Sequence, residues 1–366
     1  WLRNILMNNN NFNVDNSLFS LFLKSINKKL IFIPLSLILI GIFTLFSLRA
    51  DLNLLKHIIY VIISLIAFIV IIFINKNNLK TILNLSLFAL ISLLVFTHFF
   101  GHAENGSQRW IKYFGLSLQP SEIIKGPFIC FISWFYYLSL KNLNYKIIFI
   151  PLSISILIIS LIASQPDFAT SIYFFISFSL VSILYIRKIK FLFLLSLIGI
   201  SFMSLVISLN SYIKDRIFGF FFNTSIQVQS SLEAINKGGL IGVGLGEGQL
   251  KYSIPENQND FIFSIIIEEV GILFGIIIVF LYPMYLYLVK KASDSLDNLF
   301  LKNTVFVLAF MTCFQAFVNI STSIDLFIPT GMPLPFVSSG GSSLLSYAII
   351  FATVSNFTKD EKSTFN

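Results

Sequence analysis

The sequence predicts an all-α protein: a polytopic integral membrane protein of about ten transmembrane helices with both termini in the cytoplasm. Three observations carry that expectation. First, 56% of the 366 residues are hydrophobic and 11% are charged, whereas a soluble domain is about one quarter charged. Such a chain lacks the polar groups to cover a globular surface and is suited to lipid. Second, the apolar residues fall into ten runs, most of them near the 20 residues a bilayer requires. Third, Lys and Arg are unevenly divided between alternate connections. With the N-terminus inside, 16 of the 25 lie on the cytoplasmic side and eight outside, with Lys125 within a span. That is the positive-inside pattern. The net charge of +8 is spread in short pairs, not clustered as a nucleic-acid surface would be. No nucleic-acid partner is expected.

A polar, Asn-rich tail occupies 1–29. It shows no charged-then-apolar leader pattern ahead of the first span, and Met7 is a candidate initiator. The expected membrane domain is 30–357, with spans at 30–49, 58–75, 79–100, 121–140, 146–163, 167–186, 191–210, 261–289, 302–321 and 336–357. A short cytoplasmic tail, 358–366, follows. The cytoplasmic connections are short and basic. The outer ones are longer: 101–120, the large loop 211–260, and 322–343. The 42 Phe residues fit compositional drift and carry no functional weight. Cys130 and Cys313 fall in apolar runs and read as small buried hydrophobes.

The charges within apolar runs are few, and each raises a chemical question. In PSEIIK, Glu122 and Lys125 are three apart and share a helix face. They form either a purely structural ion pair or a pair lining a wet cavity; spacing does not decide. Arg109, in QRWIKYFG, adds a positive charge at the same end. Asp167, in QPDFAT, either complements the helix dipole as a cap or stands at a cavity rim. GGLIGVGLGEG, 238–248, lies between no strand and helix, so its glycines suit tight turns and close approach to a ligand or to the bilayer surface, not a nucleotide. In GMPLPFVSSGGSS the prolines and Gly340 and Gly341 preclude a regular helix, and Ser338 and Ser339 suit an anionic head group. His98, His102 and Glu104 have ligand-like spacing but no second cluster, so no metal site is expected from the protein alone. Finally, PENQNDFIFSIIIEEVG holds four of the 17 acids, Glu256, Asp260, Glu268 and Glu269. An acid at a helix centre costs roughly 2.5–3.5 kcal/mol on insertion scales. Asp260, at the water–lipid boundary, suits either a helix N-cap or a general base.

These motifs occur together and in order: RW…QPSE..K, QPD..T, GG..G.GLGEG…K…PE…DFIF…EE.G and P.P..SSGGSS. In that order the chain resembles the SEDS family of peptidoglycan glycosyltransferases over about 30–357, most of all its division-type branch, with the elongation-type branch a near relative. The resemblance implies the ten-span SEDS fold and an inverting glycosyltransferase of the bacterial cytoplasmic membrane. Such an enzyme polymerises lipid II, an undecaprenyl-pyrophosphate-linked disaccharide-peptide, at the outer face.

By position, the resemblance makes Asp260 the catalytic base. It assigns Arg109, Lys125, Glu122, Asp167, Glu256, Ser338, Ser339, Gly340 and Gly341 to substrate binding, and Glu268 and Glu269 to structural support. It also implies a class B penicillin-binding protein as partner, other divisome or elongasome proteins, contact with membrane lipids, and a divalent cation, Mg2+ or Mn2+, as a possible cofactor. Gln258-Asn259 stands where the family usually has His-Thr, and Ser339 where it has Tyr. The rival readings are a lipid II flippase or other lipid-linked-substrate transporter, which would need polar groups along the whole crossing, and a non-catalytic scaffold, for which Asp260 would be dispensable.

Overall fold

The computed structural model describes residues 28–48, 51–104, 107–113, 116–186, 225–254 and 258–359, with scattered positions between 197 and 220. The chain forms a helical bundle. Among the described residues its helices are α1 (Lys28–Ser47), α2 (Asp51–Phe73), α3 (Lys76–Phe100), α4 (Pro120–Ile123), α5 (Lys125–Lys141), α6 (Phe149–Ser164), α7 (Phe168–Ile186), α8 (Ile226–Gly238), α9 (Ile262–Val270), α10 (Ile272–Asp294), α11 (Leu299–Ser323) and α12 (Gly341–Thr358). Among the described residues, seven helical stretches are long and apolar enough to cross a membrane. The chain is thus a multi-pass membrane protein. The seventh expected span, 191–210, falls almost wholly outside the described residues. The fourth is built from α4 and α5, joined at Ile124, whose carbonyl accepts the Phe128 N–H at 2.9 Å.

The spans divide into lipid-facing and central helices. α10 is largely exposed along its length, whereas α11 is mostly buried. α10 directs Leu273, Ile277 and Phe280 outward, as expected where lipid replaces water as the surrounding medium. α11 is the axle of the bundle, packed on α5, α7, α10 and α12. α2 lies along α12. The two come so close that a Cβ on Gly341 would strike the Tyr60 ring, and Phe68 stacks on Phe351 at 5.2 Å.

The far end of that pair is held by polar contacts. The last carbonyls of a helix lack intrahelical donors, and in lipid each must find another. Asn356 Nδ2 donates to Ile71 O, Ile72 O and Ile74 O at 2.9, 3.1 and 2.7 Å. Lys359 Nζ donates to Ile72 O at 2.9 Å, and Lys76 Nζ returns a bond to Lys359 O at 2.9 Å. Replacing fully buried Asn356 by Leu keeps the branching of the side chain but removes the donor. The expected loss is about 1–3 kcal/mol, visible as a lowered unfolding temperature in detergent.

Two features depart from the expected helices. The connection 101–120, expected as a loop, folds into a small antiparallel sheet of β1 (His102–Glu104), β2 (Ser107–Tyr113) and β3 (Leu116–Leu118), in the order β1-β2-β3. Three short runs of backbone at a membrane surface satisfy one another this way. The eighth span, expected as one helix over 261–289, is broken at Gly271 into α9 and α10. Gly271 has φ +93°, a conformation that a residue with a Cβ adopts only under strain.

Candidate functional site

The break at Gly271 explains the glycine-rich segment and the paired acids together. Breaking a helix in the bundle orphans carbonyls on one side and N–H groups on the other. The loop after α8 supplies both partners. Val243 N and Gly244 N donate to Glu268 O and Glu269 O at 2.9 and 3.0 Å, while Ile272 N and Leu273 N donate to Gly239 O and Leu240 O at 2.9 and 3.3 Å. The glycines, expected to approach a ligand or the bilayer surface, instead approach protein backbone, because the broken helix needs partners there.

The two carboxylates stitch the next segment down. Glu268 is fully buried and accepts the N–H groups of Gln249, Leu250 and Lys251 at 2.8, 2.9 and 3.1 Å. Glu269 pairs with Lys251 at 2.7 Å and accepts a bond from Ser47 of α1. Lys251, also fully buried, donates in addition to Ser47 O at 2.8 Å and Gly246 O at 3.1 Å. The acids hold the large loop against α9 and α1.

That support leads the chain into 258–260, which the 331–341 segment grips from the other side. Ser338 Oγ donates to Asn259 O at 2.6 Å and accepts the Leu334 N–H at 2.8 Å. Ser339 donates to Gln258 O through its N–H at 3.0 Å, and its Oγ lies 2.8 Å from Asn259 Oδ1. These two serines thus hold the segment carrying Asp260. Gly340 packs beside Asn259 and Pro333. Asp260 itself is half-buried. The N-cap of α9 is Phe261, with no side-chain cap bond. Gly331, with φ +73°, faces the carboxylate: a Cβ there would lie 3.6 Å from Asp260 Oδ2. Glu256 lies outside the described residues.

Deeper in the bundle, Lys125 is fully buried and Glu122 nearly so. Lys125 Nζ sits 2.6 Å from Glu122 Oε1 and 2.8 Å from Gln315 Oε1, with the Tyr173 ring 4.8 Å away. The i,i+3 pairing expected from PSEIIK is present. Ser346 of α12 donates to Glu122 O at 2.6 Å, tying this joint to the same helix that follows the serine loop.

Arg109, on β2, is directed to the corner between α6 and α7. Its guanidinium donates to Gln165 O at 2.8 Å and Pro166 O at 2.6 Å and lies 3.3 Å from the Asp167 carboxylate. Asp167 also accepts the Thr170 N–H at 3.2 Å. It therefore acts as cap and ion-pair partner at once. His98 Nδ1 lies 3.4 Å from Ser164 Oγ. Among the described residues, no three His, Cys, Asp or Glu side chains gather as a metal site.

A profile of the FtsW/RodA/SpoVE family, described as cell cycle proteins, matches residues 23–363. This chain belongs to that family. Among its FtsW/RodA/SpoVE relatives are proteins named probable peptidoglycan glycosyltransferase FtsW. That of Borreliella burgdorferi is 33% identical over 319 residues, covering 82% of this chain and 85% of its own. That of Wigglesworthia glossinidia brevipalpis is 31% identical over 354 residues, covering 90% and 92%. The fold is shared with a chain of a peptidoglycan synthase complex that coordinates polymerization and crosslinking, at TM-score 0.77 and 19% identity over 93% of this chain and 99% of that one. The rod shape determining protein RodA of Thermus thermophilus gives TM-score 0.68 at 19% identity, over 93% and 98%. The FtsW/RodA/SpoVE fold here rests partly on residues that were not singled out in the sequence, among them Gln315 and Asn319. A signal existed for both: polar amides four apart inside an apolar span share a face.

Proposed function

We infer that this chain is a peptidoglycan glycosyltransferase of the division type, polymerising lipid II into glycan strands for septal wall synthesis. The observation that carries this is its match, along most of both chains, to proteins named for that activity. Asp260 is the base we assign. It takes the proton of the acceptor's GlcNAc 4-hydroxyl, whose oxygen bonds to the donor's anomeric carbon. The bond from that carbon to the pyrophosphate oxygen breaks, the electron pair leaves with undecaprenyl pyrophosphate, and the configuration inverts. Lys125 and Arg109 are assigned to offset the charge of the leaving group.

The large loop, the serine segment and Asp260 belong, in this reading, on the outer face of the cytoplasmic membrane. A class B penicillin-binding protein is the partner we assign, since the related fold occurs in a complex joining polymerization to crosslinking. The described residues do not form a cage for a divalent cation, so none of the steps above runs through one. Mg2+ or Mn2+ would instead enter with the substrate's pyrophosphate.

The test is polymerisation by the purified protein with its candidate transpeptidase, supplied with labelled lipid II and a divalent cation. A ladder of glycan chains on a gel is expected. Absence of polymer, together with movement of lipid II across vesicles, would replace this reading with the transporter.

A further inference from the structure

We propose that Asn319 is a positioning residue for Asp260, and that Gln315 extends the same support to Lys125. This rests on the reading of Asp260 as the base. Gln315 and Asn319 are four apart on α11, both essentially fully buried, and so lie one above the other on one face of the central helix. Their amides reach the same irregular segment. Gln315 Nε2 donates to Pro333 O at 2.8 Å while its Oε1 receives Lys125 Nζ. Asn319 Nδ2 donates to Met332 O at 2.8 Å and to Asp260 O at 2.9 Å.

Segment 327–335 has no helix or strand bonds of its own, and Pro333 and Pro335 bring no N–H. Its carbonyls need donors from outside, and α11 provides them. One nitrogen with two hydrogens clips Asp260 to Met332, across 72 positions of chain. The clip sets Gly331 beside the Asp260 carboxylate. Serine or threonine donates one hydrogen, and leucine none, so a primary amide suits this geometry. Asn319 Oδ1 is buried without a hydrogen-bond partner. The amide orientation is therefore dictated by its two donor bonds: turned over, it would set its oxygen against two carbonyls.

A general base must sit within about 2.6–3.2 Å of the proton it removes, and a displacement of about 1 Å can cost about 100-fold. Asn319 touches the main chain of Asp260 from within the bundle. Its loss is expected to lower kcat about 10–100-fold while leaving the KM for lipid II within about twofold.

The experiment compares wild type, Asp260→Ala, Asn319→Ala and Asn319→Asp in the lipid II polymerisation assay, with unfolding temperature recorded for each. Asn319→Asp keeps the volume and, when protonated, donates to one carbonyl only. A fall in kcat without a rise in KM, in protein that remains folded, is the expected result. If Asn319→Ala does not fold, Asn319→Asp decides. Wild-type kcat in either folded variant would overturn the proposal. So would KM and kcat changing together, or loss of the fold in both, because the residue would then be merely structural. If wild type makes no polymer, or Asp260→Ala polymerises normally, it is the reading of Asp260 as base that fails.

Discussion

Asp260→Ala is expected to yield a folded protein that makes no detectable glycan polymer, with the rate reduced by about 10²–10⁴-fold, the usual contribution of a general base. The fold should survive because 258–260 is held through atoms that the substitution leaves in place. Asn319 grips the Asp260 carbonyl, Ser338 the Asn259 carbonyl, and the Ser339 N–H the Gln258 carbonyl. The helix that follows is capped at Phe261 without a side-chain bond. A carboxylate lost from a helix cap would cost about 1 kcal/mol of stability and little activity; a lost base shows the reverse. Asp260→Asn sharpens the comparison, since it keeps the shape and removes only the basicity. Both variants should unfold within a few degrees of wild type and give no ladder. Equal polymer from Asp260→Asn and wild type would return Asp260 to a structural role.

Legibility in the sequence divides along sequence separation. The apolar helices among the described residues and the Glu122–Lys125 pair were readable because they depend on local pattern: two residues three apart on a helix must share a face. Asp167 was readable as a cap for the same reason. Features set by distant chain were not. The break at Gly271, inside what was expected as one helix over 261–289, was not readable, because the loop segment that completes it lies about thirty residues earlier. The supporting role of Glu268 and Glu269 could be suspected, but their partner Lys251 reaches back 204 positions to Ser47. Ser338 and Ser339 looked like open anion binders. Their bonds to 258 and 259, some eighty residues away, show that they first serve to shape the segment carrying Asp260. The strands of 102–118 were missed because each is three to seven residues long and is fixed by pairing, not by an apolar pattern.

The second large effect concerns the buried pair. Lys125→Met is expected to cost about 3–5 kcal/mol, because it leaves Glu122, 4% exposed, without its cation. Glu122 Oε2 already has no hydrogen-bond partner, and Oε1 would lose its 2.6 Å contact, leaving the carboxylate no ion-pair partner among the described residues. Gln315 Oε1 would be stranded as well. The double variant Lys125→Met, Glu122→Gln removes both charges and is expected to recover most of that stability, since a buried ion pair and a neutral replacement differ far less than a pair and a lone charge. Activity separates the two meanings of the pair. If Lys125 serves only the fold, the double variant regains polymerisation along with stability. If Lys125 also offsets the charge of the departing pyrophosphate, the double variant is stable yet remains at least about tenfold slow, because no other group on α5 replaces the lost cation at that depth. The second outcome is the one expected. Unfolding temperature and gel-resolved polymerisation, measured on the same three preparations, decide between them.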